Sequence, residues 1–228
     1  MDQFQENLGV LSKKELNILM NTKVLLVGLG GLGGYIANSL VRLGVQSLIL
    51  VDPDTFNLSN LNRQLFSSHT ILGERKVEIL KKELLDINPN AIITIFPQKI
   101  ETIDSSIFKD IDILIDAVDN IKTKCYMEDL GKQLNIPLLH GAIGGWFGQF
   151  GLISPGSNIL NELYGEKSFV LEKTLKSPTF TPAIIANMMV NEFVKFIAKK
   201  DHVLFNRIMM VDLLNNDYQI IFDKSKMI

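Results

Sequence analysis

Apolar and polar residues alternate along this chain in a way that predicts a repeating strand and helix order. Ser12-Lys13-Lys14-Glu15 reads as a capping box opening a short helix that ends near Met20. An unbroken apolar strand over 23–28 follows, then a helix over 32–43 whose Ile36, Leu40 and Leu43 share one face, then a strand over 46–51. This βαβ unit implies a right-handed crossover between parallel strands. Residues 52–66 are polar and irregular, helix 73–87 runs to the stop Asn88-Pro89, and a strand covers 91–96. A helical turn at 104–109 leads to strand 111–116, and helix 120–135 and strand 137–142 complete a second α/β run. Gly144, Gly145, Gly148 and Gly151 then bracket an expected hairpin at a sheet edge.

The pattern loosens over 154–181, where Pro155, Gly156, Gly165 and Pro178 interrupt any period, so this stretch is expected to be a long crossing loop. Helix 183–198 follows, and strands at 203–211 and 218–222 flank the turn Asn215-Asn216-Asp217. The fold class is therefore α/β: a Rossmann-like, doubly wound, mostly parallel sheet extended by antiparallel strands on its C-terminal side. The expected division is a single unit over 1–228, with a helical arm (1–22), a nucleotide-binding core (23–153), the crossing loop (154–181) and a C-terminal helix and hairpin (182–228).

Composition narrows the class. At 228 residues and 46% hydrophobic content, one well-cored domain is the better reading. A net charge of -2 supplies no general basic field for nucleic acid. The lone Cys125 cannot form an internal disulfide or a paired-cysteine metal site. Neither a signal-like start nor a membrane-length apolar run is present, so a cytoplasmic location and no membrane partner are expected.

The candidate chemistry begins at Gly28-Leu29-Gly30-Gly31-Leu32-Gly33-Gly34, a strand entering a glycine turn that opens a helix and brings backbone N–H groups toward a phosphate. In this reading Gly28 makes the tight turn, Gly30 and Gly31 let the backbone approach the ligand, and Gly33 allows the helix close to the strand. Asp52 ends the second strand, where a carboxylate can bind both ribose hydroxyls. Asp54 is the weaker candidate because Pro53 is expected to turn it away. Beyond the polar loop that ends in Asn62-Arg63-Gln64, Arg75 and Lys76 stand at a helix N-terminus, where cations oppose the macrodipole unless an anion binds there. Arg75 taken singly is a solvated side chain, whereas Arg63 and Lys76 together suggest a phosphate. Asp116-Ala117-Val118-Asp119-Asn120 closes an apolar strand with two carboxylates. Asp119 either caps the next helix or serves Mg²⁺, which takes one or two carboxylates besides phosphate oxygens and water.

The glycine run, Val51-Asp52-Pro53-Asp54, Leu58-Ser59-Asn60-Leu61-Asn62-Arg63-Gln64, Gly73 to Lys76, Asp119-Asn120 and Pro178-Thr179-Phe180-Thr181-Pro182-Ala183 together resemble the adenylating family related to ubiquitin-activating enzymes, whose bacterial members are MoeB, ThiF and HesA. The resemblance covers about the whole chain. It implies an ATP-dependent adenylyltransferase that activates the C-terminal carboxylate of a small ubiquitin-like sulfur carrier ending in Gly-Gly, with release of pyrophosphate. It also implies that Gly31 lies in the phosphate loop, that Asp52 holds ribose, that Asn60, Arg63 and Lys76 bind the triphosphate, that Asp119 holds Mg²⁺ with Asn120 beside it, and that the protein is a homodimer.

Three departures from the family pattern stand out. Gln3 and Glu6 occupy the positions of an N-terminal Arg-x-x-Arg that reaches the partner subunit's triphosphate; the paired Cys-x-x-Cys motifs are missing; and 154–181 contains no cysteine. Cys125 reads as a small packed hydrophobe, His140 as a satisfied near-core histidine, and Trp146, Phe147 and Phe150 as packing of the hairpin. Ile184, Ile185, Met188, Met189, Phe193 and Phe196 form a helical stripe expected to serve both core and dimer face. A tRNA-modifying family member adenylating an RNA-borne carboxylate, a degenerate nucleotide-binding scaffold and a nicotinamide-dependent dehydrogenase remain as alternatives.

Overall fold

The computed structural model describes residues 3–165 and 176–224. Its framework is an eight-stranded sheet in the order β3-β2-β1-β4-β5-β6-β7-β8. Strands β1 (Lys23–Val27), β2 (Ser47–Val51), β3 (Ile92–Phe96), β4 (Ile113–Asp116) and β5 (Leu138–Gly144) pair in parallel. Strands β6 (Phe147–Ile153), β7 (Arg207–Asp212) and β8 (Asp217–Asp223) continue the sheet antiparallel. The doubly wound, mostly parallel sheet with an antiparallel extension is the architecture the sequence pattern predicts.

Both faces of the parallel part are covered, which explains why its strands read as apolar runs rather than alternations. On β1, Val24 and Leu26 enter a core formed with α2 (Gly31–Arg42), α3 (Lys76–Ile87) and α6 (Phe180–Ile197). Leu25 and Val27 face a second core under α4 (Ile121–Leu134) and α5 (Ile159–Tyr164). The two-residue period of a strand makes this division. Helix α1 (Lys13–Asn21) precedes β1 and starts at the predicted box, with the Glu15 N–H bonding the Ser12 hydroxyl and Glu15 reaching back to the Ser12 N–H. Among the described residues no helix is long and apolar enough to cross a membrane.

Four expectations are corrected. Helix α3 begins at Lys76 instead of 73, because Gly73 turns with φ +90° and Arg75 is held extended in an isolated bridge to Thr55. The β5–β6 hairpin is not at a sheet edge: β7 pairs onto β6, and β8 is the outermost strand. Accordingly Phe150 is buried, while Trp146 and Phe147 are partly exposed and Trp146 leans on Phe180 with ring centroids 4.6 Å apart. The segment 154–181 contains helix α5, whose first turn donates Leu160 and Asn161 N–H groups to the buried Glu128 carboxylate at 3.0 and 3.1 Å. Helix α6 starts at Phe180, ahead of Pro182, since a first helical turn needs no donor from proline. Residues 166–175 of the expected crossing loop lie outside the described residues.

Candidate nucleotide site

Three parallel strands, β1, β2 and β4, end at one point. The Gly28 N–H bonds Val51 O at 2.9 Å, and the Ala117 N–H bonds Val27 O at 2.9 Å. Gly28 turns with φ +88°, and a Cβ there would stand 2.6 Å from Ala117 O. Gly33, one helical turn into α2, would drive a Cβ to 1.9 Å from Gly28 O, so helix and turn touch backbone to backbone. Gly31 abuts Pro182 at the start of α6, at 3.2 Å from its own would-be Cβ, whereas Gly30 meets nothing closer than Gln64 Nε2 at 3.6 Å. No side chain caps the α2 N-terminus. Its first N–H groups therefore present a partial positive charge at the C-terminal edge of the sheet, where ligands of open α/β sheets bind.

Asp52 lies under this turn and is almost wholly buried. One carboxylate oxygen accepts the Leu29 N–H at 2.6 Å and the other the Asp54 N–H at 2.8 Å. The residue thus clamps the glycine turn to the end of β2. Burial raises its pKa above the ordinary carboxylate value, against the pull of the nearby Lys76 ammonium and the two N–H donors.

Lys76 Nζ stands 3.9 Å from Asp52 and 2.8 Å from Asp54. Contrary to the expectation from sequence, Pro53 therefore does not turn Asp54 away from the site. The turn closed by the Asp54 N–H on Asp52 swings Asp54 back to Lys76, and the Lys76 N–H bonds Asp54 O at 3.1 Å. The cation at the α3 N-terminus is offset by this carboxylate pair without any bound anion.

The loop 57–64 lies over the glycine turn. Asn60 is buried, and its side-chain oxygen accepts the Asn57 N–H at 3.1 Å. Arg63 folds back onto its own loop, donating to Ser59 O at 2.8 Å and Asn62 Oδ1 at 2.9 Å. Gln64, next in the chain, rests its side-chain nitrogen against Gly30, and Leu65 and Phe66 lie against Gly34. On the other side, Asn120 caps α4 by accepting the Thr123 N–H at 2.9 Å, which resolves the capping alternative and leaves Asp119 exposed two residues beyond Ala117. Thus Asp52, Lys76 and the glycines are in contact, Asp119 borders them through 117–118, and the Arg63 guanidinium points into its own loop. Glu6 is exposed on the N-terminal arm.

Directly beneath 117–119 is a buried polar network. Asp116 and His140 are fully buried and adjacent across the β4–β5 register, with His140 Nδ1 2.7 Å from Asp116 Oδ2. Lys124 Nζ donates to both Asp116 oxygens at 3.3 and 3.2 Å and to Gly141 O at 2.8 Å. His140 Nε2 is 3.1 Å from the Tyr164 hydroxyl. Burial works to raise the Asp116 carboxyl, yet Lys124 and the His140 hydrogen bond overcome it and hold it below the ordinary value. Burial lowers His140, which is neutral at pH 7 and donates from Nδ1 to Asp116. The satisfied core histidine expected from sequence is present. Its bond to Asp116 and the burial of Lys124 were not foreseen, although strands 111–116 and 137–142, laid in parallel, align the two residues. Cys125 is half-buried, its thiol pushed up by burial and by the neighbouring Glu128 carboxylate.

A glycine turn at the switch between β1 and α2, an acidic residue closing β2 and a helix N-terminus open to the sheet edge define a nucleotide-binding Rossmann-like protein. The chain belongs to the ThiF family, whose model matches residues 4–226. It is 31% identical over 207 residues to a probable molybdopterin-synthase adenylyltransferase of Pyropia yezoensis, covering 88% of this chain and 55% of that protein. It is 28% identical over 208 residues to the molybdopterin-synthase adenylyltransferase of Escherichia coli K12, covering 88% of this chain and 83% of that one. In fold it is similar to E. coli MccB solved with MccA-N7isoASN, at a TM-score of 0.76 and 23% identity, over 90% of this chain and 65% of MccB. The chain thus spans about half the length of the Pyropia relative.

Proposed function

We propose that this chain is an ATP-dependent adenylyltransferase that activates the C-terminal carboxylate of a small ubiquitin-like carrier protein ending in Gly-Gly. The observation carrying this reading is the contact of Asp52 and Lys76 beneath an uncapped glycine turn. ATP fits there: Gly30 leaves its backbone open on the ligand side, α2 offers N–H donors to phosphate, and Asp52 keeps unfilled acceptor positions for ribose hydroxyls. Gly28, Gly31 and Gly33 shape the turn that Gly30 opens.

In the reaction a carboxylate oxygen of the carrier's terminal glycine attacks the α-phosphorus. The bond from that phosphorus to the bridging oxygen breaks, leaving an acyl-adenylate and pyrophosphate. The attacking group is already ionised, so no general base is needed. Cancelling charge is the main requirement. Lys76 supplies one cation, exchanging part of its pairing with exposed Asp54 for phosphate oxygens, and Arg63 supplies another by leaving its loop carbonyl. Asn60 and Asn120 bound the triphosphate. Asp119 suits Mg²⁺ because it is exposed, while Asp116 is committed to Lys124 and His140. One carboxylate with phosphate oxygens and water is the usual Mg²⁺ environment, and no cluster of three or more acidic, His or Cys residues occurs among the described residues. When bound, Mg²⁺ neutralises charge developing on the pyrophosphate.

The same reading takes the 228 residues as one adenylating unit acting in the cytoplasm as a homodimer, with partly exposed Ile184 and Met188 on the dimer face. With Glu6 where relatives carry an arginine, no N-terminal guanidinium reaches the partner's triphosphate, and Glu6→Arg should leave activity unchanged or raise it.

Exchange of labelled pyrophosphate into ATP, dependent on a candidate Gly-Gly carrier, tests the proposal. Asp119→Ala should nearly abolish exchange and spare the fold. ATP binding without exchange for any carrier would favour a scaffold, and tRNA-dependent pyrophosphate release would favour the RNA-modifying alternative.

A further inference from the structure

Four buried side-chain polar atoms lack a hydrogen-bond partner among the described residues: Gln64 Oε1, Asn88 Nδ2, Ser157 Oγ and Arg207 Nε. Asn88, Ser157 and Arg207 lie away from the glycine turn, at the far end of α3, ahead of α5 and at the start of β7. Gln64 lies against it. This residue is only 7% exposed, and its amide nitrogen stands 3.6 Å from where a Gly30 Cβ would be. Its backbone is fixed on both sides, since the Gln64 N–H bonds Asn60 O at 3.0 Å and Gln64 O accepts the Ser67 N–H at 3.0 Å and the Ser67 hydroxyl at 2.6 Å. The side chain is aimed from a rigid pivot.

The two ends of this carboxamide differ. Oε1 is sealed inside the protein, whereas Nε2, on the Gly30 side, is not sealed and donates to no acceptor among the described residues. What Gln64 offers a ligand is therefore a donor, set beside the N-terminus of α2, which no side chain caps. An unmet buried oxygen is costly, and turning the nitrogen toward a ligand accounts for keeping it.

The acceptor follows from what adjoins Gly30. The Leu29 N–H is bonded to Asp52 at 2.6 Å, so the residue before Gly30 is tied to the carboxylate that holds ribose in the reading above. The α-phosphate hangs from ribose C5′ and is the first anionic group along the nucleotide. A helix N-terminus draws that anion and has no such pull on neutral adenine. Gln64 Nε2 and the first N–H groups of α2 then converge on the same phosphoryl group.

We infer that Gln64 is a phosphate-binding residue whose side-chain nitrogen donates to a non-bridging oxygen of the α-phosphate. This assignment rests on the adenylation reading and adds a contact at its reacting phosphorus. As the acyl carboxylate attacks, the α-phosphorus becomes five-coordinate while its non-bridging oxygens keep their negative charge. A donor already aimed at them holds that charge without reorganising.

The test measures calorimetric binding of adenosine, AMP and ATP to the full chain as wild type, Gln64→Met and Gln64→Glu. The wild type should bind AMP more tightly than adenosine. Gln64→Met should weaken AMP and ATP by about 10- to 150-fold, the range of one hydrogen bond to a charged group, and leave adenosine unchanged. Gln64→Glu, which puts an acceptor where the donor stood, should weaken both nucleotides at least as much. Gln64→Met should melt no lower than wild type, because it removes an unmet buried acceptor. A variant that binds AMP as wild type does overturns the inference, and a fall in its pyrophosphate exchange alone would move the nitrogen to the acyl carboxylate. An equal loss of adenosine and AMP overturns it too, as does a loss confined to ATP, which would put the contact on the β- or γ-phosphate. A wild type that binds AMP no tighter than adenosine has the same force. A wild-type chain that binds none of the three overturns the adenylation reading itself, a result distinguishable from the others.

Discussion

Gly33→Ala and Gly30→Ala, three positions apart on the glycine turn, should fail in opposite ways. A helix-propensity argument alone favours Gly33→Ala, since alanine stabilises a helix interior by about 0.8–1.0 kcal/mol over glycine, whereas Gly30 is the N-cap of α2 and gains nothing from it. At position 33 sterics outweigh that gain. The new Cβ would sit 1.9 Å from Gly28 O and 2.8 Å from Gly28 C, both backbone atoms, with Ala117 Cβ at 3.6 Å behind them. Contacts that short force α2 off the end of β1. Overpacking typically costs 1–3 kcal/mol, and a backbone obstacle argues for about 3. After the propensity gain about 2 kcal/mol of destabilisation remains, or roughly 4–8 °C in Tm for a chain of this size.

At position 30 the new Cβ would meet only Gln64 Nε2 at 3.6 Å, an ordinary contact. Gly30→Ala should therefore keep the Tm of the free protein within about 2 °C, a few tenths of a kcal/mol. It should also lose most of the ATP-induced rise in Tm, because the methyl occupies the side from which phosphate approaches. Thermal unfolding of both variants with and without ATP·Mg²⁺ reads the two effects separately. Gly33→Ala at wild-type stability would refute the close-contact argument, and Gly30→Ala with an undiminished ATP shift would refute the placement of phosphate.

Lys124→Met should destabilise by about 3 kcal/mol or more, measured by urea unfolding, because it leaves the fully buried Asp116 carboxylate without its cation. His140, held neutral below its ordinary value of 6.5, takes no proton in the folded state while the unfolded chain does. Its contribution to stability is thus present above pH 6.5 and is lost as pH falls from there toward its folded pKa, by up to about 1.4 kcal/mol per pH unit. The difference in unfolding free energy between wild type and His140→Gln should trace this slope, and a pH-independent difference would show that burial does not lower the pKa of His140 in the fold. Cys125, with its thiol raised by burial and Glu128, should react with iodoacetamide more slowly than free cysteine, and Cys125→Ala should retain pyrophosphate exchange.

What was legible in the sequence and what was not divide along locality. The strand-turn-helix at 23–34 is readable because its apolar run, its glycines and the helix they open are contiguous and each obeys a local rule. The start of α3 lies three residues later than its sequence suggests because Arg75 is held extended by Thr55, twenty residues earlier in the chain. The hairpin at β5–β6 reads as a sheet edge because nothing in its own residues reveals that β7, more than fifty residues later, pairs with it. Asp54 reads as the weaker candidate because the proline before it suggests divergence, whereas a bond from its own N–H to Asp52 decides its direction.

The candidate site shows the same division with a sharper consequence. Asp52, Lys76 and the glycines could be proposed because residue type and position in a Rossmann-like order suffice to bring strand ends together. The direction in which each side chain points could not. Arg63 turns to Ser59 and Asn62, Asn120 rather than Asp119 caps α4, and the Gln64 amide rests against Gly30. In the free protein the site's cations are paired with protein carboxylates and carbonyls, so the proposed triphosphate binding has to exchange those partners. In the pairing of buried Lys76 with exposed Asp54, a ligand anion can take the place of Asp54, which is left facing water, whereas the Asp116–Lys124 pair, buried on both sides, has no such outlet. On the adenylation proposal, that difference in solvent access suits the first pair to ligand binding and the second to the scaffold beneath it.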